Sequence, residues 1–224
     1  MSRFAKALTA GTSAATLLCA TGYADDTTEI LNGQLNLDAE VSANGQVVVG
    51  RTGNVTLNAV GMGNALDVQT LTGHDVTSSQ QFGGFVTSTA ETNAVAIDGT
   101  AITASGAYGN SAILEVDGDS DVAVTQSASD GSNVFSAATL RLDSYAVGNI
   151  TAATAAANSV ETIGEYGGIQ GSIQQDSGAA VESRAIVEAR TAGLGEFSTT
   201  AATASGNAIR SQGDESSVIL NTAQ

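Results

Sequence analysis

Asp117, Asp119 and Asp121, in the run Asp117-Gly118-Asp119-Ser120-Asp121, form the grouping whose residue types and spacing best suit a hard cation, because calcium takes several oxygen ligands. The pattern then leaves the calcium-loop form. Val122 holds the sixth position, where the sharp turn needs glycine, and Ala128 the twelfth, where a bidentate glutamate belongs. A solvated acidic turn is the plainer reading, with a weak calcium site as the alternative. His74 is the only histidine. Count alone leaves a Ser-His-Asp set open, yet no serine stands in a nucleophile-elbow sequence, and a solvated loop histidine is the simpler expectation. Cys19 is the only cysteine, so the chain beyond it offers neither a Cys/His nucleophile nor a zinc cluster. Gly61-Met62-Gly63-Asn64-Ala65-Leu66 begins like a dinucleotide fingerprint, but Leu66 replaces the last glycine and the stretch recurs elsewhere as part of a repeat. The reading is of a protein that is not an enzyme and has no catalytic residues and no cofactor.

The recurrence carries more information than the chemistry. Ala107-Tyr108-Gly109-Asn110-Ser111 returns as Gly61-Met62-Gly63-Asn64-Ala65, Ala155-Ala156-Ala157-Asn158-Ser159 and Ala204-Ser205-Gly206-Asn207-Ala208, with asparagine steps of 46, 48 and 49 residues. A glutamine follows each asparagine at 16 or 17 residues, as Gln80, Gln126, Gln174 and Gln224. Four units of about 47 residues thus cover most of the chain, the signature of a repeat architecture.

Within the units, short runs alternate in polarity. Val55, Leu57 and Ala59 fall on one side with Thr56 and Asn58 on the other, and Ala112-Ile113-Leu114-Glu115-Val116 behaves likewise. With 26 glycines, no proline, no tryptophan and an excess of small and β-branched residues, the composition suits closely stacked strands. The alanine-rich stretch from Thr151 to Val160 scores as helix on propensity, but its alignment with Val55 to Ala65 favours strand. The fold expected is all-β: a β-solenoid of four repeats, each twice the length of a usual coil and therefore two coils, giving roughly eight coils and a rod of about 40 Å. Gly63, Asn64, Gly109, Asn110, Asn158, Gly206 and Asn207 are expected to form structural turns along one edge, the glycines supplying positive φ, with Ala157 marking a relaxed turn. Asparagines at such turns can stack into amide ladders, although an intervening coil would separate these four.

The first 24 residues read as a secretory signal peptide: Arg3 and Lys6, an uncharged stretch from Ala7 to Ala20, and small residues at Gly22 and Ala24 before Asp25. A lipoprotein signal at Cys19 is disfavoured by Leu18 before it, and the apolar stretch is too short and diluted for a transmembrane span. Residues 25–224 are then the repeat domain, exported and without disulfides. They hold five arginines and no lysine against 23 acidic residues, a net charge of −18. That charge repels nucleic acid, whose binding depends on cations neutralising phosphate.

The small-x-Gly-Asn-(Ser/Ala) repeats, glutamine-anchored segments such as Val124-Thr125-Gln126-Ser127-Ala128, the signal sequence and the lysine-free acidic body together resemble the holdfast anchor protein D family. The resemblance implies a non-enzymatic protein at the cell surface or outer membrane. It would anchor an adhesive polysaccharide holdfast to the bacterial envelope, alongside other anchor proteins or further copies of itself. Alternatives are a curli-like amyloid or fibre subunit, a trimeric autotransporter-like adhesin head suggested by Asn93-Ala94-Val95-Ala96-Ile97-Asp98-Gly99, and a secreted polysaccharide-cleaving β-helix enzyme. Near the C-terminus, Val218-Ile219-Leu220 reads as an edge that another subunit could extend.

Overall fold

The computed structural model describes residues 29–70, 73–191, 194–214 and 217–224. The signal-peptide reading, Cys19 included, lies outside them. Twelve strands account for nearly all described residues: β1 (Glu29–Asn36), β2 (Glu40–Thr52), β3 (Val55–Thr70), β4 (Asp75–Phe82), β5 (Phe85–Asp117), β6 (Ser120–Ala128), β7 (Asn133–Leu142), β8 (Ala146–Glu165), β9 (Gly168–Ser177), β10 (Ala180–Ala189), β11 (Leu194–Asp214) and β12 (Ser217–Ala223). Thr151 to Val160 lies inside β8, paired on one side with β5 and on the other with β11, so backbone pairing on both edges overrides its helix propensity.

Every strand pair is parallel, and the register defines a β-solenoid. Val76 lies beside Val122 and Ser120 beside Ile169, steps of 46 and 49 residues. One sequence repeat is therefore one coil, which corrects the expectation of two coils per repeat. The coils are large because one of their three faces is long. Face one stacks β1, β4, β6, β9 and β12. Face two stacks β2, the first part of β5, β7 and β10, and face three stacks β3, the rest of β5, β8 and β11. Five strands at the usual spacing make face one roughly 20 Å tall, half the expected rod.

Face three spans beneath the other two. Its first part packs on face two, where Ser88 Oγ donates to the Ala59 carbonyl at 2.9 Å and Thr103 Oγ1 to Thr92 Oγ1 at 2.8 Å. Its second part packs on face one, where Gln80 Nε2 donates to the Ser111 carbonyl at 3.0 Å. Between the two parts the in/out alternation breaks, and Ala155, Ala156, Ala157 and Asn158 are buried in succession. Small side chains are needed there because both sides of the bent strand are covered. The apolar core runs along the axis in three clusters. One, around Val76, Leu114, Val122, Val160 and Ile169, lies between faces one and three; a second centres on Ile97, Leu140 and Leu142; a third on Phe82, Val86 and Val134. Burying such side chains contributes about 1.5–3 kcal/mol each, which lets a chain so poor in aromatics hold a core.

Candidate functional site

Asn64, Asn110, Asn158 and Asn207 occupy one register column inside face three. They do not sit in turns. Each belongs to a long strand that bends while its asparagine stays in register with the strand of the adjoining coil, which corrects the turn assignment of Gly63, Asn64, Gly109, Asn110, Asn158, Gly206 and Asn207. Because one repeat is one coil, the asparagines are direct neighbours. Asn64 Nδ2 donates to Asn110 Oδ1 at 2.8 Å, Asn110 to Asn158 at 2.7 Å and Asn158 to Asn207 at 2.8 Å. The second amide proton crosses to face one: Asn64 donates to the Gln81 carbonyl, Asn110 to Ser127 and Asn158 to Asp176, at 2.8 to 2.9 Å.

Face one returns the bonds with a glutamine ladder. Gln80 Nε2 donates to Gln34 Oε1 at 3.1 Å, Gln126 to Gln80 at 2.7 Å and Gln175 to Gln126 at 2.8 Å. Their other protons reach the carbonyls of Ser111, Ser159 and Ala208 on face three. The two ladders run in opposite senses, asparagines donating toward the C-terminal end and glutamines toward the N-terminal end. Each amide is thus bonded to its own column and to the facing sheet, which satisfies groups that would be costly to bury unpaired. Gln175, not Gln174, is the rung. Gln174 is exposed beside Thr125, because the chain carries an extra residue at the corner between β8 and β9: the step is 48 residues at Asp117↔Glu165 and 49 from Ser120↔Ile169 onward. Gln34 and Gln175 were the rungs missed from spacing; the 46-residue step from Gln34 to Gln80 was the available signal.

Gly63 and Gly109, before Asn64 and Asn110, serve close approach and not backbone conformation. Positive φ among described glycines occurs at Gly118, Gly131, Gly167 and Gly171. A Cβ at Gly63 would come within 2.7 Å of the Phe82 ring, and one at Gly109 within 2.8 Å of the same ring and 2.6 Å of the Ala157 carbonyl. Phe82 is wedged between those two coils. In the next coil its column carries Ala128, so Ala157 fits without any relaxed turn.

On the outer surface, all five described arginines pair with acids. Arg51 bonds Asp98 at 2.8 Å, Arg141 joins Glu91 and Glu188, Arg190 meets Asp143 at 3.5 Å, Arg210 meets Glu161 at 3.0 Å, and Arg184 pairs with Glu182. All but the last join neighbouring coils, so these exposed pairs distribute the cations of an acidic protein along the stack. Hydrogen bonds from Arg51, then from Tyr145, hold the Asp98 carboxyl down at about 2. A shallow polar depression on face two brings together Asn44, Gln46, Thr89, Glu91 and Arg141. Within it Gln46 Nε2 donates to Glu91 at 3.3 Å, and Asn93 Nδ2 donates to Glu91 at 3.0 Å.

Asp117, Asp119 and Asp121 do not converge on a point. Asp119 is occupied structurally, its carboxylate accepting from the Gly168 backbone N–H at 2.8 Å and fastening two corners together, while Asp121 is exposed on β6. Among the described residues no three metal-ligating side chains come together. His74 stands at a coil corner, where its backbone N–H donates to Ser120 Oγ at 3.0 Å.

A parallel solenoid zipped by amide ladders displays charge and amide groups in rows along its sides, an extended repeating surface. The family model for holdfast attachment protein D matches residues 49–224, and the chain belongs to that family. Membership implies a role in holdfast attachment at the cell envelope. Comparison with curated proteins and with solved structures gives no match. Among the described residues no helix is long and apolar enough to cross a membrane.

Proposed function

We propose that this protein is a non-enzymatic exported component that anchors an adhesive polysaccharide to the outer surface of the bacterial envelope, working beside other anchor proteins or further copies of itself. The observation that carries the reading is the pair of cross-bonded amide ladders in a chain of the holdfast attachment family. An anchor has to stay folded under tension. Ladders that tie each coil to the next and each sheet to the one facing it spread a load over many bonds, each worth about 0.5–1.5 kcal/mol net. The polysaccharide would meet face two, where Asn44, Gln46, Thr89 and Glu91 offer donors and acceptors to sugar hydroxyls across successive coils.

Cells of the producing bacterium lacking the chain are the test. Lectin-stained adhesive should be shed into the medium under shear, with polysaccharide composition unchanged, and the intact gene should restore retention. Full retention by the deletion strain, or an altered sugar polymer, would overturn the reading.

A further inference from the structure

The two ends of the rod are not equivalent, and the ladders make them complementary. At the N-terminal end, Asn64 Oδ1 has no donor among the described residues, and Gln34 uses only one amide proton, on the Ala65 carbonyl at 2.7 Å. At the C-terminal end the polarity reverses. Asn207 accepts from Asn158 and gives one amide proton to the Gln175 carbonyl at 3.4 Å, which leaves its second proton for a rung above, while the Gln175 side chain is buried and its Oε1 has no partner. In the adjoining column the same contrast recurs: Ser177 Oγ at one end and Asn36 Oδ1 at the other are both buried without a partner. Outside, Arg210 stands exposed at the C-terminal end of the column that begins with Asp67.

From this we infer that a second copy of the chain stacks head to tail on the first, its β1, β2 and β3 adding to β9, β10 and β11 in unbroken register. Asn207 then donates to Asn64 of the second copy, and Gln34 of that copy donates to Gln175. Ser177 donates to Asn36, and Arg210 pairs with Asp67. Valine continues on valine, since Val41 begins the column that Val86, Val134 and Val181 extend. Head-to-head contact would instead set acceptor against acceptor at the asparagine rung. Such a heterologous contact does not close on itself, so it propagates into a polar filament.

One element competes for the joint. β12 pairs with β9 from Ser217↔Gly168 to Ala223↔Gln174, leaving Gln175 to Ser177 beyond its paired span. Glu29 to Gly33 of an incoming β1 would align with Gln170 to Gln174, the positions that Ile219 to Ala223 already cover. Stacking therefore displaces β12, a seven-residue strand with one neighbour. The inference concerns the rod itself and stands or falls apart from the anchoring role.

Charge exchange across the joint tests it, because both positions are exposed and the fold can be checked by circular dichroism. Sedimentation and negative-stain microscopy of the purified exported protein should show concentration-dependent filaments. Asp67→Arg and Arg210→Asp, each alone, set like charges at every joint and should raise the half-assembly concentration roughly three- to tenfold. An equimolar mixture of the two variants should recover wild-type assembly, because every joint in an alternating filament is then opposite in charge. Deleting residues 217–224 should promote assembly. A wild type that stays monomeric at all concentrations, with its ends covered by β12 or by another molecule, overturns the inference. So does a mixture no better than its components, and a truncation that weakens assembly overturns the displacement of β12.

Discussion

Replacing Asn110 with alanine removes the centre of the asparagine ladder. The side chain is fully buried, donates to Asn158 and to the Ser127 carbonyl, and accepts from Asn64. Alanine would strand two groups inside the solenoid, one amide proton of Asn64 and Asn158 Oδ1, and would take from the Ser127 carbonyl the bond it has beside its sheet ladder. Each buried polar group left unsatisfied costs about 1–3 kcal/mol, so the sum runs from about 2 to 6 kcal/mol; water entering the small void offsets part of it, and about 3 kcal/mol is expected. That is a large fraction of the 5–15 kcal/mol by which domains are usually stable. Guanidinium unfolding followed by circular dichroism measures the change, with Asn44→Ala as the exposed control, expected within about 0.5 kcal/mol of wild type. The double variant Asn110→Ala/Asn158→Ala should cost less than the two singles added, by roughly 0.5–3 kcal/mol, because their shared bond is lost once. A loss below about 1 kcal/mol for Asn110→Ala, equal to the control, would show that the ladder does not hold the coils together.

Gly109→Ala should destabilise by roughly 1–3 kcal/mol, because the added methyl meets the Phe82 ring and the Ala157 carbonyl. Gly206→Ala, whose methyl would have Ser177 at 3.6 Å as its nearest neighbour, should fall within about 0.5 kcal/mol of wild type in the same unfolding assay. Asp98 is held at about 2 in the fold, below its ordinary 3.8, so its contribution is complete above the ordinary value and is lost as pH falls through about 2. A carboxyl NMR titration should place its midpoint there and move it upward in Arg51→Leu; an unmoved midpoint would remove Arg51 as the cause. The exported protein should begin at Asp25 by mass spectrometry, whereas an acylated Cys19 would mean lipoprotein processing instead.

Much of this was legible in the sequence because a parallel solenoid repeats its register. The recurrence of Asn64, Asn110, Asn158 and Asn207 marked one column, and the alternation of Val55, Leu57 and Ala59 marked a strand with one buried side. The coil count was not legible. A usual solenoid coil is about half this length, and the extra residues lie in face three, whose bend at Gly63-Asn64 reads locally as a turn. The glycines misled for a related reason. Their need came from Phe82, close in space but distant in the chain, and no local φ preference reports such a contact. Gln174 stood in for Gln175 because an extra residue at the corner between β8 and β9 shifts the count by one while the strands on either side keep their register.

The account turns on one coil per repeat, and a disulfide reads it directly. Thr77 and Ala123 are exposed register partners on β4 and β6, and no cysteine follows Cys19 to compete. Neighbouring strands lie about 4.8 Å apart, inside the roughly 4.4–6.8 Å span a disulfide needs, whereas two coils per repeat would separate the pair by about 10 Å. Oxidation of folded Thr77→Cys/Ala123→Cys should give the intramolecular bridge by peptide mass mapping, and Thr77→Cys/Thr125→Cys, two residues out of register, should not. Free thiols in the first pair, or equal bridging in both, would contradict the stacking on which the ladders depend.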